Sequence, residues 1–164
     1  MMAKSLLISF LVIALVGTPV AAHAERKVVV GPERQRLVAA QTTNLVDQQL
    51  VRVNGKKFNR RVGIYLAFCE VPLRGQLPRN CAGGINLEGE SQSSFWISSN
   101  PPSYAADLVM KFTKRGGFKA EIKVTRFIGQ TDCAIKRCAI LTRADHLRPT
   151  LRSADLLIPV SFRR

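Results

Sequence analysis

Residues 118–125 constrain the fold most. Phe118, Ala120, Ile122 and Val124 alternate with Lys119, Glu121, Lys123 and Thr125, a period of two that suits a strand with one buried and one wet face and no helix. Gly116-Gly117 supplies the turn in front of it. The same reading extends along the chain. Leu50-Val51-Arg52-Val53 followed by Asn54-Gly55 predicts a strand entering a tight turn. Residues 62–69 are apolar on both faces and predict a central strand. Ser94–Ser98, Cys138–Thr142 and Leu156–Phe162 complete the set, with Pro159 placing the last strand at an edge or a bulge. Helical signals are poor beyond a turn or two at Tyr104–Phe112, because eight prolines and eleven glycines punctuate the chain. The expectation is an all-β fold, a sandwich or small barrel of about seven short strands.

The first residues carry a different pattern. Lys4, then the apolar run Leu6–Val16, then Gly17 and Pro19, then Ala22-His23-Ala24 read as a cleaved secretory signal peptide, Met1–Ala24. Eleven residues are too few to span about 30 Å of hydrocarbon. A secreted, extracellular or envelope-associated chain, Glu25–Arg164, is expected. Glu25–Asp47 reads as a basic N-terminal arm or edge strand, and Gln48–Arg164 as the sandwich domain.

Four cysteines follow the leader: Cys69, Cys81, Cys133 and Cys138. An even number in an oxidising compartment predicts two disulfides. Three pairings exist, and locality favours Cys69–Cys81 with Cys133–Cys138. The alternative bridges the sheets from Cys69 to Cys138 over Trp96, leaving Cys81 with Cys133. Zinc would want paired short spacings, whereas eleven residues separate Cys69 from Cys81, and His146 is the only histidine after the leader. No metal or cofactor is expected.

Three stretches together carry a resemblance: Val51–Gly55 leading to Val62–Cys69, Thr131-Asp132-Cys133 with Cys138-Ala139-Ile140, and the closing Ile158–Phe162. In order and spacing they resemble the neocarzinostatin family of secreted actinobacterial proteins. Ser98–Tyr104 and Thr142–His146 look closer to neocarzinostatin-like domains of actinobacterial surface proteins. The resemblance covers Gln48–Phe162. It implies a seven-stranded immunoglobulin-like sandwich, the pairing Cys69–Cys81 and Cys133–Cys138, and a small-molecule cleft between sheet and loops. Those carriers are acidic, whereas this chain has Lys+Arg 25 against Asp+Glu 11. No chromophore-contacting residue matches position by position, so none is carried over.

Catalytic signals are sparse. Asp145-His146 is the one suggestive pair, with only an arbitrary nucleophile in Ser153 or Ser161. No nucleophile elbow, zinc-protease helix or phosphate loop is present. A non-enzymatic binding module is the better expectation. Its ligand is a small hydrophobic molecule or, alternatively, an anionic polymer, envelope surface or acidic partner. A net charge of +14 favours anionic surroundings. The cationic candidates are Lys56, Lys57, Arg60, Arg61, Lys136, Arg137, Arg143, Arg148 and Arg152, with further clusters at Lys111, Lys114-Arg115 and Arg163-Arg164. The plain alternative is a solvated, solubilising surface. Nucleic-acid binding would want aromatic platforms among the cations. Aromatics are only 7%, and Phe58, Tyr65 and Phe68 read as core. Trp96 with Phe95 and Tyr104 suits a ligand pocket, but Trp96 fits better as the main core plug of the sandwich.

Overall fold

A computed structural model describes residues 25–84 and 91–163; the expected leader, Met1–Ala24, lies outside them. Ten strands are present: β1 (Lys27–Val30), β2 (Arg36–Ala39), β3 (Gln49–Lys56), β4 (Ile64–Glu70), β5 (Ser94–Ile97), β6 (Phe118–Val124), β7 (Phe127–Ile128), β8 (Thr131–Asp132), β9 (Cys138–Ala144) and β10 (Leu156–Val160). They build two four-stranded antiparallel sheets, ordered β1-β2-β3-β6 and β10-β9-β4-β5, and a small ribbon, β7-β8. A 3-10 turn at Ser103–Ala105 is the one helical element among the described residues. None of their helices is long and apolar enough to cross a membrane.

The two large sheets face each other across one core. Val51 and Val53 of β3 and Phe118, Ala120, Ile122 and Val124 of β6 point inward from the first sheet; Ile64, Leu66 and Phe68 of β4, Ile140 of β9 and Ile158 of β10 meet them from the second. The alternation read at residues 118–125 is therefore the buried half of β6. β4 is central, as its two apolar faces require: its outer face, Ala67 and Cys69, packs in a second small cluster with Leu141, Leu157 and Cys81.

Both short-range disulfides form, Cys69–Cys81 and Cys133–Cys138. The inter-sheet alternative fails on register. Cys69 lies opposite Ala139, and its neighbour Glu70 lies opposite Cys138, so the two cysteines emerge on opposite faces of one sheet. Cys138 joins the main core and Cys69 the outer cluster.

Two local expectations are corrected. Asn54-Gly55 is not a turn: β3 runs through it to Lys56, pairing Gly55 with Phe118 and with Leu37. Gly55 is needed because a Cβ there would stand 2.0 Å from the Phe118 ring. The chain reverses instead at residues 57–63, starting with Lys57 at positive φ. The strand count also exceeds seven, because short β1 and β2 extend the first sheet and β7-β8 forms a separate ribbon. Pro159 does sit in the edge strand β10, opposite Ala139.

Strand directions sort the loops. Register places Val30, Lys56, Ile64, Ile97, Phe118, Ala144 and Leu156 at one end of the sandwich, and Gln49, Glu70, Val124, Cys138 and Val160 at the other.

Candidate functional site

The loops of the first end are 31–35, 57–63, 98–117 and 145–155. Two bonds tie them to one another, Phe58 N–H to the Gly116 carbonyl (2.9 Å) and Asp145 N–H to the Gly63 carbonyl (2.9 Å). These loops and the strand ends beside them carry exposed cations: Arg34 and Arg36; Lys56, Lys57, Arg60 and Arg61; Lys111, Lys114 and Arg115; Arg148 and Arg152. Only Arg152 of these has an ion partner among the described residues, Asp155 at 2.7 Å. Seven of the nine cationic candidates thus gather toward this end, counting Arg143, half-buried near the end of β9. Lys136 and Arg137 are at the opposite end, in the loop closed by Cys133–Cys138. The charge runs fall into two groups rather than one patch.

An aromatic cluster sits at the edge of the basic end. Tyr65 of β4 and Trp96 of β5 are cross-strand partners and point away from the core, so neither plugs the sandwich as their sequence suggested. Phe68 and Phe58 are core, as expected. The reason is parity: Ile64, Leu66 and Phe68 take the inner face of β4, which leaves Tyr65 outside, and pairing then puts Trp96 beside it. Their ring centroids are 6.0 Å apart. Arg143 is the partner of Tyr65 on the other side, in β9.

Asp145-His146, following β9, completes the cluster. Asp145 is fully buried and accepts hydrogen bonds from the Trp96 indole N–H (3.1 Å) and the Leu147 backbone N–H (3.2 Å). Gly63 is what admits it, since a Cβ there would lie 2.0 Å from the Asp145 carboxylate oxygen. The His146 ring lies 5.0 Å from Trp96, edge to face. Its Nδ1 is 2.5 Å from the Tyr65 hydroxyl and its Nε2 is 3.2 Å from the Tyr104 hydroxyl. A neutral imidazole has one donor and one acceptor, so one tyrosine donates and the other accepts. Burial, then the Asp145 charge, pushes the Tyr65 hydroxyl above its ordinary pKa.

Asp145 and His146 therefore engage different partners and do not form an acid–base relay. Ser161 lies past the far end of β10, and the Ser153 carbonyl accepts from the Gln35 side chain. Trp96 and Tyr104 do come together, through His146. Tyr104 is 70% exposed, so the pair forms a surface platform and not the walls of a deep cleft. Sequence reasoning missed Tyr65; the signal was its parity with Ile64 and Leu66. The outer face of the first sheet has an open recess of about 470 Å³, lined by Ala40, Arg52, Asn54, Lys119, Ala120 and Glu121. Neither Trp96 nor Tyr104 borders it.

No family model matches the chain, and no curated protein does. A solved structure titled macromomycin is similar at 15% identity and a TM-score of 0.49, over 85% of this chain and all of that one. A likeness that distant carries no functional argument.

Proposed function

We propose that this chain is a non-enzymatic binding module whose ligand is an anionic polymer or envelope surface, held at the basic end of the sandwich. One observation carries this reading: cations on four separate loops lie at that end with no ion partner among the described residues, apart from Arg152, beside an aromatic platform. Such a surface attracts polyanions, and its affinity falls steeply with salt. Two disulfides fit an oxidising, extracytoplasmic compartment, in keeping with the leader expected at Met1–Ala24.

The test is binding to linear polyphosphate as salt is raised. The triple variant Lys57→Glu, Arg60→Glu, Arg61→Glu should bind far more weakly and with a flatter salt dependence. Lys136→Glu with Arg137→Glu, at the other end, should retain most of the affinity. Equal losses in both variants would refute a localised site, and salt-insensitive binding would refute the electrostatic reading.

A second reading has its own support. Trp96 stands half-buried on an outer face beside the exposed Tyr104, where a small aromatic ligand could stack. Trp96 is the only tryptophan, so its fluorescence reports directly. A salt-independent change on adding a ligand extracted from the producing culture would favour this reading over the polyanion.

A further inference from the structure

The opposite end of the sandwich has a different chemistry. The segment 125–138 forms the ribbon β7-β8 and then the loop closed by Cys133–Cys138. Two large apolar side chains project from it, Phe127 at 54% exposure and Ile135 at 81%. Val46, 45% exposed, lies on the neighbouring loop, which is tied to the ribbon by Asp47. The Asp47 carboxylate accepts from the Arg126 N–H (2.7 Å) and the Thr125 hydroxyl (3.0 Å). Single exposed apolar residues are ordinary; several on loops bonded to one another are a surface.

The apolar tips are held rigidly. Phe127 pairs with Asp132 across the ribbon. The Asp132 carbonyl accepts from the Ile135 and Lys136 N–H groups (3.0 and 2.8 Å), its carboxylate accepts from the Ala134 N–H (2.8 Å), and Arg126 grips the same carboxylate through two bonds, 3.1 and 2.9 Å. A backbone fixed in this way loses little conformational freedom on contact with a partner. Each apolar tip has cations directly beside it: Arg126 precedes Phe127, with its guanidinium 5.3 Å from the ring centroid, and Lys136-Arg137 follow Ile135. Two of the described acids at this end accept bonds within the fold. Asp132 is held as above, and the Glu70 carboxylate accepts from Asn80 (3.1 Å) and Thr131 (3.0 Å).

We propose that this end docks on an anionic lipid bilayer, with Phe127 and Ile135 entering the hydrocarbon margin and Lys136 and Arg137 lying among the headgroups. The occupant follows from the layering. An apolar side chain with a long cation at the next position matches hydrocarbon beneath a negatively charged layer, and Lys and Arg reach upward to stay in that layer. This contact is independent of polyanion binding at the basic end, which faces away from it.

The experiment is sedimentation of the full chain with vesicles of phosphatidylcholine alone and of phosphatidylcholine with phosphatidylglycerol, near physiological ionic strength. The chain should bind only the anionic vesicles. Ile135→Asp and Phe127→Asp should each lower the affinity at least about tenfold, since each removes one large buried apolar group. Lys136→Glu with Arg137→Glu should also abolish the preference for phosphatidylglycerol, while the triple variant at Lys57, Arg60 and Arg61 retains it. Wild-type binding by both aspartate variants, no binding of the parent chain, or loss confined to the basic-end variant overturns the proposal. Ile135→Trp guards against misfolding of the aspartate variants: its emission should shift to the blue on anionic vesicles, and an unshifted spectrum also overturns it.

Discussion

Asp145→Ala tests how the aromatic platform is held. The buried carboxylate accepts from the Trp96 indole and from the Leu147 backbone, and no cation lies within ion-pair distance of it among the described residues. Removing it leaves a backbone N–H and an indole N–H without their acceptor. Bonds to a charged group contribute about 1.5–3 kcal/mol each. The indole, at a half-buried position, recovers some hydration, so the sum falls near 3 kcal/mol. For a domain of this size that is roughly a 10 °C fall in Tm. Asp145→Asn keeps an acceptor oxygen and should cost well under half as much. The assay is urea unfolding of both variants, followed by circular dichroism, together with the single indole N–H resonance in a proton–nitrogen spectrum. That resonance should move strongly in the alanine variant and little in the asparagine one. An alanine variant with parental stability and an unmoved indole signal would refute the account of Asp145 as the anchor of Trp96.

Three further outcomes are expected. Gly55→Ala should lower stability by about 1–3 kcal/mol through overpacking against Phe118, and Phe118→Leu in the same chain should restore part of it; an unchanged urea midpoint would count against the observed register. Serine pairs replacing each disulfide should cost about 3 kcal/mol at Cys69–Cys81 and about 2 at Cys133–Cys138, the order set by sequence separations of 12 and 5; the reverse order in denaturant would contradict loop closure as the cause. Glu70 is held below its ordinary pKa by hydrogen bonds from Asn80 and Thr131, and Asp132 by the Arg126 hydrogen bond and the Ala134 N–H. Depressed carboxyls stabilise the fold above their unfolded pKa and lose that contribution as pH falls through the folded value, so stability should decline below about pH 4 and Glu70→Gln should flatten the decline. Burial raises the Asp155 carboxyl, the opposite sign, so Asp155→Asn should steepen it.

The strands were legible where one face is wet. Phe118–Val124 shows its alternation openly, and the run at residues 62–69 shows its burial by lacking one. Gly55 misled because Asn-Gly is a turn signal in local terms, while its actual role, clearing space for the Phe118 ring, is set by a partner more than sixty residues away. β1 and β2 carry only four residues each, too few for a periodicity to stand out, and β7 and β8 carry two each. The candidate site was half legible. Trp96, Tyr104, Asp145 and His146 each stood out as residue types, but their meeting depends on which face Trp96 occupies. That face is fixed by pairing with Tyr65, and pairing is invisible to a reading that treats each strand alone.

The same dependence on register decides which partners the charged groups meet. Counted as a composition, 11 acids offset nearly half of 25 bases. In the fold, five of the described acids act as local acceptors or ion partners. Asp47 holds Thr125 and Arg126, Glu70 holds Asn80 and Thr131, Asp132 holds Arg126 and Ala134, Asp145 holds Trp96 and Leu147, and Asp155 pairs with Arg152. Of these, only Asp132 and Asp155 spend their charge on a cation's side chain. The lysines and arginines at the loop ends keep theirs for solvent and for whatever approaches. A ligand arriving at loops 57–63 and 145–155 meets Lys57, Arg60, Arg61 and Arg148, none of which has an ion partner among the described residues. Neutralising a carboxylate such as Asp47 by substitution should scarcely change polyanion affinity, whereas reversing one of those cations should.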